Sequence, residues 1–456
     1  VIERQLDDPR REGCATVRIV VVGGGAAGIG AQGGAKGTNP AAEVILFTEY
    51  EDVGYSPCGI PYVHGREIEK FEDLFLQDKQ FYADAGFDIR YSTRVESLDV
   101  ARQEIEVAGT GKVGYDRVVL ATGWNYEDPG VPGSDLEGLH YVKNIRRAME
   151  FDKVLDYAKV AVVVDATPIG VEMATAFAHR GLQTHFVDPG GWVLSDVADP
   201  DIMEPVEASL RELGVQLHLQ TKVEQFVGDG RVRAVATSKG ELPADVVVVA
   251  THKTPNTELA TTAGIKTGST GGIIVDDGMA TSAPNVWAAG DCVEIPHALT
   301  KVPINGLSGS HAYSQGKVAG INAGGGDRAY QAVQVPWGMM AGKWAIGGVS
   351  FGETLATALG IPFVAGMADG ISRARYYPGF SRIRVKLLVN PKTRTLVGGQ
   401  MAGVEGIKER ADFLAMAMRA RIPIEDIAWM ESVYSPPIGA LNEPMALAAQ
   451  NVLTKL

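Results

Sequence analysis

Cysteine is scarce in this chain of 456 residues, and each one stands alone. Cys58 has no second cysteine near it; the other two are Cys14, close to the N-terminus, and Cys292, far downstream. A dithiol centre needs its partner a few residues away, so a two-cysteine redox motif is excluded, and three scattered cysteines build no disulfide framework. Such usage fits a reducing compartment, where a reactive thiol survives. Positive charge is also short: 42 Lys and Arg against 55 Asp and Glu leave a formal net charge of −13. That argues against a nucleic-acid partner, because phosphate binding needs a positive surface. No uninterrupted apolar run reaches ~18 residues, and the segment from Val1 to Gly13 is charged throughout, so neither a membrane span nor a secretory signal is expected. The expected location is cytoplasmic.

Glycine, by contrast, is abundant at 55 residues, the balance expected where tight strand-to-helix turns recur in an α/β protein. At roughly 100–200 residues per domain the length predicts about three domains. The β-branched run Val17–Val22 leads into Gly23, Gly25 and Gly28, which occupy the three positions of G-x-G-x-x-G. The motif provides a tight turn, a close backbone approach for a pyrophosphate and close helix–strand packing, with a helix N-terminus facing the anion. A second strand, Glu43–Phe47, ends where the ribose of a bound nucleotide needs an acceptor; Glu49 is the candidate, with Thr48 one register away. Val118–Leu120 runs into the small-residue turn Ala121-Thr122-Gly123. Asn285–Asp291 ends in Gly290-Asp291, which places a carboxylate on a ribityl or phosphate-linked hydroxyl.

Between these segments lies a second βαβ unit: Val160–Val164, a helix around Glu172–Arg180, and Gln183–Asp188. One nucleotide-binding domain is thus expected to interrupt another. Near the C-terminus, Ile383–Val389 and Thr395–Gly399 read as an antiparallel pair, followed by an apolar helix from Glu409 to Ala420.

With these motifs, together with Tyr55-Ser-Pro-Cys-Gly-Ile-Pro-Tyr62, Ala288-Ala-Gly-Asp-Cys292 and Tyr434-Ser-Pro-Pro437, the chain resembles the FAD-dependent pyridine nucleotide–disulfide oxidoreductases. It is most similar in pattern to their single-cysteine branch of coenzyme A disulfide reductases, NADH oxidases and peroxidases, and persulfide reductases, over nearly everything from Val17 to Leu453. The resemblance implies two Rossmann-like domains and a C-terminal α+β dimerisation domain. Its expected boundaries are an extension over 1–16, an FAD domain in two parts over 17–143 and 272–332, an NAD(P)H-type domain over 144–271, and a dimerisation domain over 333–456. It also implies FAD held by Gly23, Gly25, Gly28, Glu49, Ala121, Thr122, Gly123, Gly290 and Asp291. Gly170, Glu172 and Asp188 would serve NAD(P)H, and a homodimer would share its active sites across the interface. Cys58 would be the redox sulfur, holding a substrate fragment as mixed disulfide, persulfide or sulfenate. Tyr434, with Tyr376 or Tyr377, would reach the sulfur from the partner subunit. The plainer readings are a structural Cys58 and interface packing for the tyrosines; Cys292 reads as a small core residue.

Departures from the family narrow the function. Ala26 and Ala27 stand where peroxidases and water-forming oxidases carry a histidine, and Lys36 alone represents the basic residues that hold coenzyme A. In the second dinucleotide motif Asp165, Thr167 and Pro168 replace two glycines and an aromatic lid, and His252 replaces a glycine by the nicotinamide. Two functions remain. One is NAD(P)H-linked reduction of a thiol, disulfide or persulfide substrate; the other is an FAD-containing subunit exchanging electrons with a protein partner.

Overall fold

Two parallel sheets, one threaded through the other in sequence, organise the computed structural model, which describes residues 16–456. The expected N-terminal extension lies outside the described residues except for its last position, and Cys14 lies outside them too. The first sheet is built on β1 (Arg18–Val22), followed by helix α1 (Ala26–Thr38), β2 (Glu43–Phe47) and β3 (Arg117–Leu120). β1 lies between β2 and β3, with Asp88–Arg90 at one edge and Val286–Ala288 at the other. The Val286–Ala288 strand arrives after the whole second sheet has been built, so the first domain is interrupted as expected. β1 and β3 are almost wholly apolar and buried, as strands covered on both faces must be.

The second sheet repeats the design with β4 (Val160–Val164), helix α2 (Pro168–His179), β5 (Gln183–Val187) and β6 (Val246–Val249). Its outer strand, Leu139–His140, pairs in parallel with Val247–Val248. The chain therefore enters the second unit a few residues before the expected boundary at 143/144. Two short segments, Trp124–Tyr126 and Lys253–Pro255, pair antiparallel and join the two domains. Helix α3 (Gly309–Ala323) returns to pack along α1, where a Cβ on Gly316 or Gly320 would stand 2.0 Å from Ala27 O or Ala31 O. Only glycine allows that helix contact.

The C-terminal domain is a five-stranded antiparallel sheet. Arg382–Val389 and Leu396–Gly403 pair as expected, and the helix that follows spans Ile407–Ala420. Among the described residues no helix is long and apolar enough to cross a membrane.

Candidate active site

The three glycines of the first turn have three separable jobs. Gly23 has φ +112°, and a Cβ there would lie 2.1 Å from Ala121 O. A Cβ on Gly28 would lie 1.8 Å from Gly23 O. Gly25 opens on empty space, with nothing within 4 Å of its would-be Cβ. The first and third glycines therefore close the fold, and the second leaves room in front of the N-terminus of α1. That helix start has no side-chain cap and no acidic residue in its first turn, so its N–H groups are free for an anion. Gly290 N donates to Gln315 Oε1 at 2.9 Å, which fixes the Gly290-Asp291 turn against α3. Thr122 Oγ1 donates to Asn256 O at 2.6 Å, and Asn256 Nδ2 donates back to Thr122 O at 2.9 Å. An open glycine at an uncapped helix start, with Asp291 at the same sheet edge, fits FAD.

At the end of β2 the register separates Thr48 from Glu49. Thr48 N donates to Arg90 O as Asp188 N donates to His218 O, each at 3.0 Å, so Thr48 is the positional equivalent of Asp188. Thr48 is buried beneath Gly24. Glu49, one residue on, is the half-exposed carboxylate, 3.8 Å from Arg94.

Cys58 lies in a single turn of 3-10 helix, Pro57–Gly59, that runs into the short helix Ile60–His64. Gly59 lies against Leu74, whose side-chain end stands 2.3 Å from where a Cβ would be and would have to move to admit one. Cys58 is exposed as a residue, yet protein surrounds its thiol at longer range. That low-dielectric surround pushes the thiol up, Glu172 and Asp291 push in the same direction, and Lys253 opposes them. Lys253 Nζ is 3.1 Å from Asp291 Oδ2 and 4.7 Å from the centre of the Trp124 ring. Glu172 accepts a hydrogen bond from Tyr62 Oη at 3.1 Å, and burial raises its carboxyl to about 7. Tyr126, whose Oη donates to Val142 O at 2.8 Å, is raised first by burial and then by Cys58 and Glu172. Glu172 thus belongs to the surroundings of the thiol as well as to the helix that follows the second dinucleotide turn. Cys292 is fully buried, its Sγ donating to Ala289 O at 3.3 Å.

The second turn retains the backbone of the first despite its substitutions. Asp165 adopts φ +72°, a conformation Asp tolerates better than most residues. A Cβ on Gly170 would lie 2.3 Å from Asp165 O, as Gly28 does against Gly23. Pro168 occupies the first position of α2, where its missing N–H costs nothing. Thr167 turns its hydroxyl away to donate to Ala250 O at 2.7 Å. Asp188, at the end of β5, accepts from Ala166 N at 2.6 Å and Gly190 N at 2.7 Å. The turn and its uncapped helix start fit a dinucleotide; the novelty is one additional carboxylate.

Tyr376 and Tyr434 meet with 2.8 Å between their hydroxyl oxygens. Both are exposed, as are Trp429, Val433, Ile438 and Leu441 on the same C-terminal stretch. Tyr377 is outside that pair. The groups acting on Cys58 within its own chain come from the first two domains, and neither Tyr376 nor Tyr434 is among them. Sequence reasoning missed Lys253, Tyr62 and Tyr126. Tyr62 had a signal, since it follows Cys58 by one helical turn; Lys253 had only its place beside His252 in the altered nicotinamide segment.

A family model described as pyridine nucleotide-disulphide oxidoreductase matches residues 17–316, and the dimerisation domain of the same description matches residues 339–444. The chain is 34% identical to an NADH oxidase of Methanocaldococcus jannaschii, across 96% of this chain and 99% of that one. It is 30% identical to an NAD(P)H coenzyme A polysulfide/persulfide reductase of Pyrococcus horikoshii, across 95% and 98%. A solved NAD-dependent persulfide reductase from A. fulgidus has a TM-score of 0.93 at 29% identity, across 96% of this chain and 83% of that one. The chain belongs to the pyridine nucleotide-disulphide oxidoreductase family and is an FAD-dependent oxidoreductase.

Proposed function

We propose that this protein uses NAD(P)H to reduce a sulfur–sulfur bond, in a disulfide or persulfide substrate, at Cys58. The observation that supports the reading is an exposed Cys58 with Asp291, Glu172 and Lys253 acting on its thiol, Lys253 as the cation that opposes its burial. The name of the M. jannaschii protein supports the NADH linkage, and the names of the P. horikoshii and A. fulgidus proteins support a persulfide-type substrate. A protein electron partner has no observation in its favour.

In this reading Cys58, as thiolate, attacks one sulfur of the substrate. The new S–S bond joins Cys58 to that sulfur, the old bond breaks, and the second sulfur leaves as a thiol or hydrosulfide carrying a proton. When bound, FAD supplies two-electron transfer between NAD(P)H and sulfur. The residues of this chain do the rest. Gly25 and the α1 N-terminus would hold the pyrophosphate, Asp291 and Glu49 would accept from hydroxyls, and Lys253 favours the thiolate. Glu172 supplies a carboxyl able to move a proton near neutral pH, and Tyr62, whose hydroxyl burial and Glu172 push up, donates a hydrogen bond to it. Tyr434 and Tyr376, from the partner subunit, donate to the leaving sulfur.

Cys58→Ser should retain FAD while losing turnover of disulfide and persulfide substrates and any long-wavelength thiolate-to-flavin absorbance. Undiminished turnover in that variant would make the sulfur structural and overturn the reading.

A further inference from the structure

The two dinucleotide turns share a backbone and differ by a charge. In the first, Gly23 N donates to Phe47 O and Ala121 N to Val22 O, both at 2.8 Å. In the second, Asp165 N donates to Val187 O at 2.9 Å and Ala250 N to Val164 O at 3.0 Å. Asp165 therefore holds the place of Gly23, the residue whose Cβ would face the end of the neighbouring strand. The equivalent strand end here is that of β6, at the crevice where the sheet's strand order reverses and a dinucleotide lies across the carboxyl edge.

Four charged or titratable groups act on Asp165 from the elements around that crevice, and the first turn of α2 carries no acidic residue. Asp188 comes from the end of β5, Asp196 from the loop beyond it, Glu127 from the segment after Trp124–Tyr126, and His252 from the segment after β6. Burial, and then Asp188, raise Asp165 to about 6, with His252 pulling the other way. Asp188 cannot turn away cheaply, since its carboxylate holds Ala166 N and Gly190 N. A dinucleotide brings further negative charge, on its pyrophosphate, to the N-terminus of α2. The arriving anion favours the neutral form of Asp165, and a protonated carboxyl becomes a hydrogen-bond donor.

We propose that the crevice takes up NAD(P)H together with a proton on Asp165, so that this one side chain sets the pH dependence of dinucleotide binding. The proposal rests on the NAD(P)H-linked reading above and adds to it a determinant specific to this chain. The direction follows from linkage. Below about pH 6 the proton is already in place and affinity is flat. Above it, binding must draw a proton from solution, and Kd rises by at most about tenfold per pH unit.

The test uses FAD-loaded protein and ADP-ribose, which carries the pyrophosphate and cannot reduce the flavin. Calorimetry at pH 6 to 8.5, in two buffers of different ionisation enthalpy, gives Kd and the protons taken up. The wild type should weaken steadily above pH 6.5 and take up close to one proton at pH 8. Asp165→Asn should bind at pH 8 at least as tightly as the wild type, with a nearly flat profile and no uptake. His252→Gln should keep the wild-type dependence. A flat wild-type profile with good binding would overturn the proposal and leave the NAD(P)H reading standing. Uptake that survives in Asp165→Asn and vanishes in His252→Gln would move the proton to the imidazole and likewise overturn it. Absence of binding in wild type and Asp165→Asn at every pH would overturn the NAD(P)H reading and this proposal together.

Discussion

Glu172 is held by a protein environment that prefers it neutral. Burial raises its carboxyl to about 7, and the Tyr62 hydroxyl only partly offsets that. Because the folded value lies above the unfolded one, the native state binds the extra proton between roughly pH 4.3 and 7. The favourable contribution is complete below the unfolded value and is lost as pH rises through about 7. Glu172→Gln keeps an oxygen to accept from Tyr62 and has no charge to bury. At pH 8 it should be more stable than the wild type by on the order of 1–3 kcal/mol, and at pH 4.5 the two should coincide. Urea unfolding with FAD in excess measures both, and equal stabilities at pH 8 would show that Glu172 is ionised without cost. The meeting of Glu172 with Tyr62 was not legible in the sequence. The two side chains are 110 positions apart, and nothing local to either residue announces the other. Lys253 was hidden for the same reason, reaching Asp291 across a domain boundary. Cys58 was legible, because its isolation and its place after the Gly-rich turn are both local properties.

The strand–turn–helix unit was the most legible element, since its geometry is encoded in consecutive residues. Even so, the sequence could not say that the second turn keeps its backbone after losing two of its glycines and retaining only Gly170. That outcome depends on Asp165 accepting φ +72° and on Thr167 finding Ala250 O. Nor could it place Thr48 in the register of Asp188, which is decided by pairing with a strand 40 residues away at Asp88–Arg90. The division of labour among the glycines of the first turn makes a sharp prediction. Gly28→Ala forces a Cβ to within 1.8 Å of Gly23 O, so the helix must move off the strand. A stability loss of about 1–3 kcal/mol is expected even without FAD. Gly25 has φ −76° and open space before it. Gly25→Ala should therefore leave the apoprotein's melting temperature unchanged and weaken FAD retention. Thermal melts of apoprotein, with flavin released on dilution, separate the two; equal destabilisation of both apoproteins would contradict this assignment.

At the scale of the whole molecule, the second domain is bound firmly to the C-terminal one. Lys386 is almost wholly buried and meets Asp199 at 3.2 Å and Asp201 at 2.8 Å, with Glu353 also in contact. Gln400 closes the same joint, accepting from Asp199 N at 2.8 Å and donating to Val197 O at 3.0 Å. The dinucleotide-binding domain and the C-terminal sheet are thus joined by a buried polar contact, while Tyr376 and Tyr434 are exposed together with the apolar side chains of Trp429, Val433, Ile438 and Leu441. The dimerisation domain supports a homodimer, and in the proposed reading a second copy covers that face and would bring the tyrosines to Cys58 of the partner subunit. Tyr434→Phe removes a donor to a charged sulfur, worth about 1.5–3 kcal/mol, or roughly tenfold to a hundredfold in turnover. Heterodimers of a Cys58→Ser chain with a Tyr434→Phe chain, purified by two different tags, decide the geometry. If the tyrosine acts across the interface, one of the two sites is wholly wild type and the heterodimer should show about half the turnover of the wild-type dimer. If it acts within its own chain, neither site is intact and turnover should fall to half that of the Tyr434→Phe homodimer. The lower value would confine each active site to a single chain and remove Tyr434 of the partner from the reaction.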